Sequence, residues 1–415
     1  MSGLTKDSET LLTDLITKNN INYTHHKSIQ KTTHIFKHLY SELTTAQTSL
    51  IKEFQPNKIV QIKTMTQISK PKTFKEVEFP SGVIDHINKN SKTEYLYTFS
   101  LFHRIIKVYF IDEKQLPIEY YNNAVKRMLL WFYILAHHTS DTCSKTISVF
   151  IYLTSLKKII PDHHSMPFTQ HHANTGFTRT CISDSEIVIY RKEEWFKVFL
   201  HESIHNFAID FSDMDIDHIN KQILQLYPGV NSEVTLFESY TEFWAEIMNV
   251  VICSFILTKS YKEYLKYCDF FINCERNFGI FQLVKILKHM DLTYSDIIND
   301  EEESISKSIS KSISKSISNS MSSSKSSKSK YKEETNILSY YILKNVLLNN
   351  YQDFLLWCEK NNKGLFQFIK SEVHLQLFYQ FIERNYKSPS MLGMIKHAET
   401  TKNLDKNMRM TCLEI

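Results

Sequence analysis

His201-Glu202-Ser203-Ile204-His205 sets two imidazoles four residues apart with a carboxylate beside the first. On a helix, residues at that spacing share a face one turn apart, so both rings can converge on one cation. Neutral imidazole suits zinc, and a catalytic zinc usually takes three protein ligands and keeps one position for water. Glu202 then stands where a general base on that water belongs. The pattern alone would arise by chance in a chain of this composition with a probability on the order of a few per cent. The competing reading is a surface helix with two solvated histidines. Phe196, Phe199, Leu200, Phe207 and Ala208 argue against it, because they give the same helix an apolar face.

The third ligand must come from elsewhere, and Glu238, Glu242 and Glu246 are its best source. Three carboxylates at four-residue spacing, set among Phe237, Tyr240, Phe243, Trp244 and Ile247, are costly to bury without a partner. A metal and its histidines would be that partner; the alternative is an acidic stripe facing solvent. The residues themselves leave open which of the three binds. Asp210 and Asp213 lie too close along the same helix end to be favoured, and Ala208 and Phe211 stand where a metzincin would carry its Gly and third His.

The combination resembles the gluzincin class of zinc metallopeptidases, in which H-E-x-x-H is followed on a later helix by a ligand Glu and, four residues on, by an acid that orients a ligand histidine. That resemblance implies Glu242 as the ligand and Glu246 as the orienting acid, with Glu238 as the fallback. It also implies one Zn2+, a protein or peptide substrate, and a Tyr or His donor to the oxyanion. Tyr227, Tyr240, His289 and Tyr294 are available for that role, and no spacing selects one. His172 to Thr178 would be the edge strand along which an extended substrate lies, with Asn174 and Gly176 in contact with it, although an ordinary turn explains Asn and Gly equally well. Together with Glu186 to His205, this stretch also resembles a group of giant DNA virus proteins to which no activity is attached. The adjacent pairs His25-His26, His137-His138, His163-His164 and His171-His172 read as surface residues, since neighbours along a chain point in different directions.

Periodicity supplies the elements that would hold these groups. Residues 6–55 carry two helical patterns. Residues 56–91 read as a connector or a small β element. Tyr95 to Ile111, Ile147 to Leu153 and Glu186 to Tyr190 read as strands, and Ile118 to His138, Ile216 to Leu226 and Val234 to Leu257 as helices. The Ser/Ile/Lys-rich stretch 300–334 has too little apolar surface to repay its ordering entropy and is expected to be a disordered insertion. Helical patterns resume over Ile337 to Leu348, Phe354 to Cys358 and Leu365 to Ile382, and residues 387–415 are expected to be a weakly ordered tail.

The chain has 415 residues, 42% of them hydrophobic, enough for a large core. A formal charge of +4 at this length disfavours a broad nucleic-acid footprint. Seven scattered cysteines without C-x-x-C spacing suggest reduced thiols and an intracellular setting, in host cytoplasm or virion if the viral likeness holds. No secretory signal is visible at Met1 to Glu9, and the longest apolar run, Ile247 to Leu257, is short for a bilayer.

The expectation is therefore an α+β protein with a zincin-like core in residues 92–299, flanked by an N-terminal helical region (1–91) and closed by C-terminal helices (335–386). Its reaction would be peptide hydrolysis by zinc-activated water with Glu202 as base. The rival from another class is a catalytically silent structural or interaction protein, and a weaker third reading is a hydrolase of non-peptide amides.

Overall fold

The computed structural model describes residues 3–19, 29–53, 60–64, 68–74, 79–139, 142–298, 331–401 and 405–415. The stretch 300–330 of the expected insertion and His25-His26 lie outside the described residues, whereas Tyr331 to Glu334 are placed.

A six-stranded mixed sheet runs in the order β1-β2-β3-β4-β6-β5. The strands are β1 (Val60–Thr64), β2 (Thr93–Leu101), β3 (Arg104–Asp112), β4 (Thr146–Leu153), β5 (Gly176–Thr178) and β6 (Asp184–Ile189). The aromatic stretch expected as strand from Tyr95 is a hairpin, turned at Phe102 and His103, both with positive φ. Strand β3 pairs in parallel with β4 through a crossover, and β4 in parallel with β6, while β5 lies antiparallel on the far edge. Alternation sorts the side chains. Val108, Phe110, Val149, Ile151, Ile187 and Ile189 face the main core, whereas Ile111, Phe150, Tyr152, Val188 and Tyr190 face a smaller cluster with Val83 and Ile87. These last two come from α3 (Ser81–Asn90), which the sequence reading did not anticipate.

The N-terminal helices α1 (Lys6–Asn19) and α2 (Thr33–Glu53) share the main core with α4 (Ile118–His138), so residue 91 is not a packing boundary. After β4 come a short α5 (Gln170–Ala173), then β5, β6 and α6 (Trp195–Asn206), all of whose residues are buried. Helices α7 (Asp217–Leu226), α8 (Leu236–Leu257) and α9 (Tyr261–His289) follow, with a short α10 (Tyr294–Ile297). Helix α8 is long and apolar enough to cross a membrane by length and composition, yet its apolar window is 89% buried inside the protein. It is a core helix. The 29-residue α9 had no one-sided apolar stripe to announce it, because much of its circumference is buried.

A π-helical segment, Leu338–Leu343, leads into α11 (Lys344–Asn349) and α12 (Tyr351–Asn361). The helix expected from Leu365 instead begins as a hairpin, β7 (Asn362–Lys363) with β8 (Gln367–Phe368), before α13 (Glu372–Asn385). The expected weak tail is also corrected. Residues 389–399 form α14 (Pro389–Glu399), and Met408, Arg409, Cys412 and Leu413 are buried. Two interior carboxylates hold that last segment: Glu194 accepts from the Met410 and Thr411 amides, both at 2.6 Å, and Glu275 from those of Cys412 and Leu413 at 3.0 and 3.1 Å. A polar stretch that satisfies buried acids has no periodicity to read.

The expectation of reduced cysteines fails at one pair. Cys143 and Cys181 are joined by a disulfide, brought together by the start of β4 and the β5–β6 loop, although 38 residues separate them. Cys253, Cys268, Cys274, Cys358 and Cys412 are free and buried.

Candidate metal centre and its cleft

Helix α6 is fixed at several points before its histidines are considered. Ser203, inside the H-E-x-x-H motif, accepts from the Trp131 indole of α4 at 2.6 Å. Asn206 donates to Thr178 of β5 at 2.8 Å and accepts from Ser144 at 2.7 Å, tying the helix end to the sheet. Ala208, at φ 53, then turns the chain back so that Asp210 faces the helix it has just left.

His201 Nε2 and His205 Nε2 lie 3.1 Å apart, and Glu238 Oε2 is 3.1 Å from the first and 3.2 Å from the second. Behind the rings, His201 Nδ1 lies 2.8 Å from Glu242 Oε2 and His205 Nδ1 2.5 Å from Asp210 Oδ2. Carboxylates only accept, so both Nδ1 atoms are donors; each Nε2 then donates to Glu238 when its ring is protonated and turns a lone pair inward when its ring is neutral. With the rings neutral, two lone pairs and a carboxylate oxygen converge at about 3 Å among buried side chains. That arrangement is repulsive unless a cation, a proton or a metal ion, sits among them. A zinc ion about 2.0–2.1 Å from each atom fits a triangle of this size, as does the N,N,O donor set.

The charges agree. Burial alone would pull both histidines down, but His201 is raised by its hydrogen bonds to Glu238 and Glu242, and His205 well above its usual value by the charges of Asp210 and Glu238. Burial would raise Glu238, but the charge of His205 and the hydrogen bonds from both rings hold it at about 2. Glu242 is lowered against its burial chiefly by Lys197, with which it forms an ion pair. Glu202 is different: burial pushes it up to about 7, only partly opposed by the two histidines. A carboxyl that exchanges a proton near neutrality suits a general base.

The order of the acids along α8 thus differs from the expected one. Glu238 meets both Nε2 atoms, Glu242 backs His201, and Glu246 touches neither ring and is paired with Lys344 at 2.6 Å. The cause is where α8 crosses α6: its first two turns, not its third, reach the histidines. Glu238 and, four residues on, Glu242 are thus the two acids of α8 at the histidines, one turn earlier than the expected pair Glu242 and Glu246.

The expected oxyanion donors sit elsewhere. Tyr227 and Tyr294 bond to each other at 3.2 Å, Tyr240 donates to the Phe366 carbonyl, and His289 stacks on His164. Tyr340, which the sequence reading did not single out, lies beside His201. Its ring centroid is 5.9 Å from that of His201, and burial, then the charges of Glu238, Glu202 and Glu242, hold its hydroxyl well above the usual value. It belongs to the π-helical segment, a geometry recurrent at functional sites, and Asn336 at that segment's start donates to Glu238 at 3.4 Å. Nothing in the spacing of Tyr340 signals this, because the segment lies beyond the Ser/Lys-rich stretch. Asp210, disfavoured as a ligand, is the other addition.

Gly176 opens β5 directly over Glu202. A Cβ there would stand 2.7 Å from the Val188 carbonyl and 3.2 Å from Glu202 Oε1, so only glycine lets the edge strand pass so close. Asn174 accepts from Thr335 at 2.8 Å. A separate cavity of about 1310 Å³ lies at the other end of α6, beside Trp195, Leu130 and Ile256, and shares no lining residue with this cluster. Comparison with protein-family models, with curated proteins and with solved structures found no match to the chain.

Proposed function

We propose that this protein is a zinc-dependent peptidase, with His201, His205 and Glu238 as metal ligands and Glu202 as general base. The convergence of two imidazole nitrogens and one carboxylate oxygen, each ring oriented from behind by an acid, carries this reading. Zinc bound there would supply Lewis-acid polarisation of water and of the scissile carbonyl. Glu202 takes a proton from the attacking water and passes it to the leaving amine. Tyr340 donates to the oxygen that gains charge as the carbonyl carbon becomes tetrahedral. The free edge of β5 orders an extended peptide by main-chain hydrogen bonds, and Gly176 leaves that backbone room above Glu202.

The test is metal content by mass spectrometry on protein prepared without added zinc. About one zinc per chain is expected in the wild type. Glu238→Gln should lose most of it, and Glu242→Gln should weaken binding about 10–100-fold. A wild type that takes up no zinc even on reconstitution removes the enzyme reading and leaves a structural or interaction role in front. Zinc lost from Glu242→Gln but retained by Glu238→Gln would instead restore the ligand first expected.

A further inference from the structure

The two ends of β5 differ in what covers them. Beyond Thr178, residues 181–184 are exposed, and among the described residues β5 is the last strand of the sheet. Before Gly176, the segment 333–336 crosses from the sheet side to the metal cluster. Glu333 forms a β-bridge with Phe168, the Glu334 amide donates to the Phe168 carbonyl at 2.7 Å, Thr335 bonds Asn174, and Asn336 bonds Glu238. A peptide laid along β5 therefore meets a wall at the strand's N-terminal end.

Arg191 stands at that wall. Gly176 pairs with Ile189, and the Tyr190 amide donates to the Thr175 carbonyl at 2.9 Å, so Arg191 continues the register opposite Asn174. The Arg191 guanidinium carbon lies 5.8 Å from the centroid of the Tyr190 ring. Arg191 is 3% exposed, gives Nη2 to the His171 carbonyl at 2.7 Å, and has no partner at Nε. Among the described residues no carboxylate lies within ion-pair distance of it. The buried lysines Lys158, Lys197 and Lys344 are all paired, with Glu194, Glu242 and Glu246. Glu193 and Glu194, the acids nearest along the chain, are taken by the Lys158 amide, by Lys158 Nζ and by the C-terminal segment. Burial lowers Arg191 and the charges of Tyr190, Glu193 and Glu194 only partly oppose it; a carboxylate arriving in direct contact would relieve that cost.

We infer that Arg191 receives the C-terminal carboxylate of the substrate, so that the protein is a carboxypeptidase-type enzyme acting on free peptide C-termini. This rests on the peptidase reading above. An anionic chain end at the N-terminal end of β5 makes the substrate antiparallel to that strand, which is also the stronger pairing. Two residues of extended chain, about 7 Å, separate the position opposite Arg191 from Gly176 above Glu202, so one or two residues are released per cut.

The experiment uses zinc-loaded full-length Glu202→Gln, which binds without turnover, and the peptide Ala-Ala-Phe-Ala-Ala as free acid and as C-terminal amide, measured by calorimetry. The acid is expected to bind about tenfold or more tighter than the amide. Arg191→Gln on the same background should erase the difference, and Arg191→Lys should restore part of it. Unchanged zinc content in these variants verifies the fold. In parallel, the wild type should release one or two C-terminal residues from the acid and leave the amide intact. Equal binding of acid and amide, or internal cleavage of the amide, overturns the inference while the peptidase reading stands. Zinc-loaded protein that neither binds nor cuts either peptide overturns both.

Discussion

The two imidazoles of the cluster have different supports. His201 leans on Glu242, whose charge is secured by Lys197, while His205 leans on Asp210, which also accepts from Thr241 and Ser212 at 3.0 and 2.9 Å. Such supports fix ring angle, so that a metal bound at the proposed site would meet side chains already aimed. Glu202 lies between them in sequence but not in role, being the one acid of the group without a basic partner in hydrogen-bond contact. Glu202→Gln should therefore keep its zinc and lose about 10³-fold in kcat, read by metal analysis beside peptide turnover. Tyr340→Phe removes one donor and no volume. It should lower kcat about 10²-fold with KM nearly unchanged, the split expected of a contact made to the transition state.

At the scale of elements, the site is made by a strand edge, two crossing helices and one irregular segment. The irregular segment, residues 331–343, is pinned by Glu333, which accepts from the Tyr331 hydroxyl at 3.0 Å and the Leu338 amide at 2.9 Å, as well as from Ser232. Burial pushes Glu333 up from 4.5 to about 7. A carboxyl that ionises later in the folded chain than in the unfolded one loses stabilising effect as pH rises between those values. Glu333→Gln removes that dependence. Its melting temperature relative to wild type should rise as pH is taken from about 4.5 to about 7, and a difference that is flat with pH would count against an ionisable Glu333 there.

Across the whole molecule, the C-terminal segment is the feature that closes the interior. Met410 Sδ lies 3.5 Å from Lys197 Nζ, so this segment touches the cation that supports Glu242, and its amides satisfy Glu194 and Glu275. Deleting residues 408–415 would leave two carboxylates buried without those donors, each costing roughly 1–3 kcal/mol. The expected outcome in a thermal melt is a loss of several degrees, together with weaker zinc retention. Deletion without effect on either would show that the segment is only packed on, not part of the support.

Much of the candidate site was legible in the residues themselves. His201, Glu202 and His205 declare their geometry through helical spacing alone, because an α-helix has one pitch. The acidic run on α8 was equally visible, since three carboxylates amid aromatics need a partner. Which of them takes that place depends on where two helices cross, a quantity set by packing against α9 and α11 that leaves no local trace. The same holds for Asp210, delivered by a left-handed turn at Ala208, and for Tyr340, Arg191 and the Cys143–Cys181 pair, each joined to its partners across long stretches of chain. Local periodicity decides element type and brings the two histidines to one face; contacts distant in sequence decide register, which of Glu238 and Glu242 meets both Nε2 atoms, and what covers each end of β5.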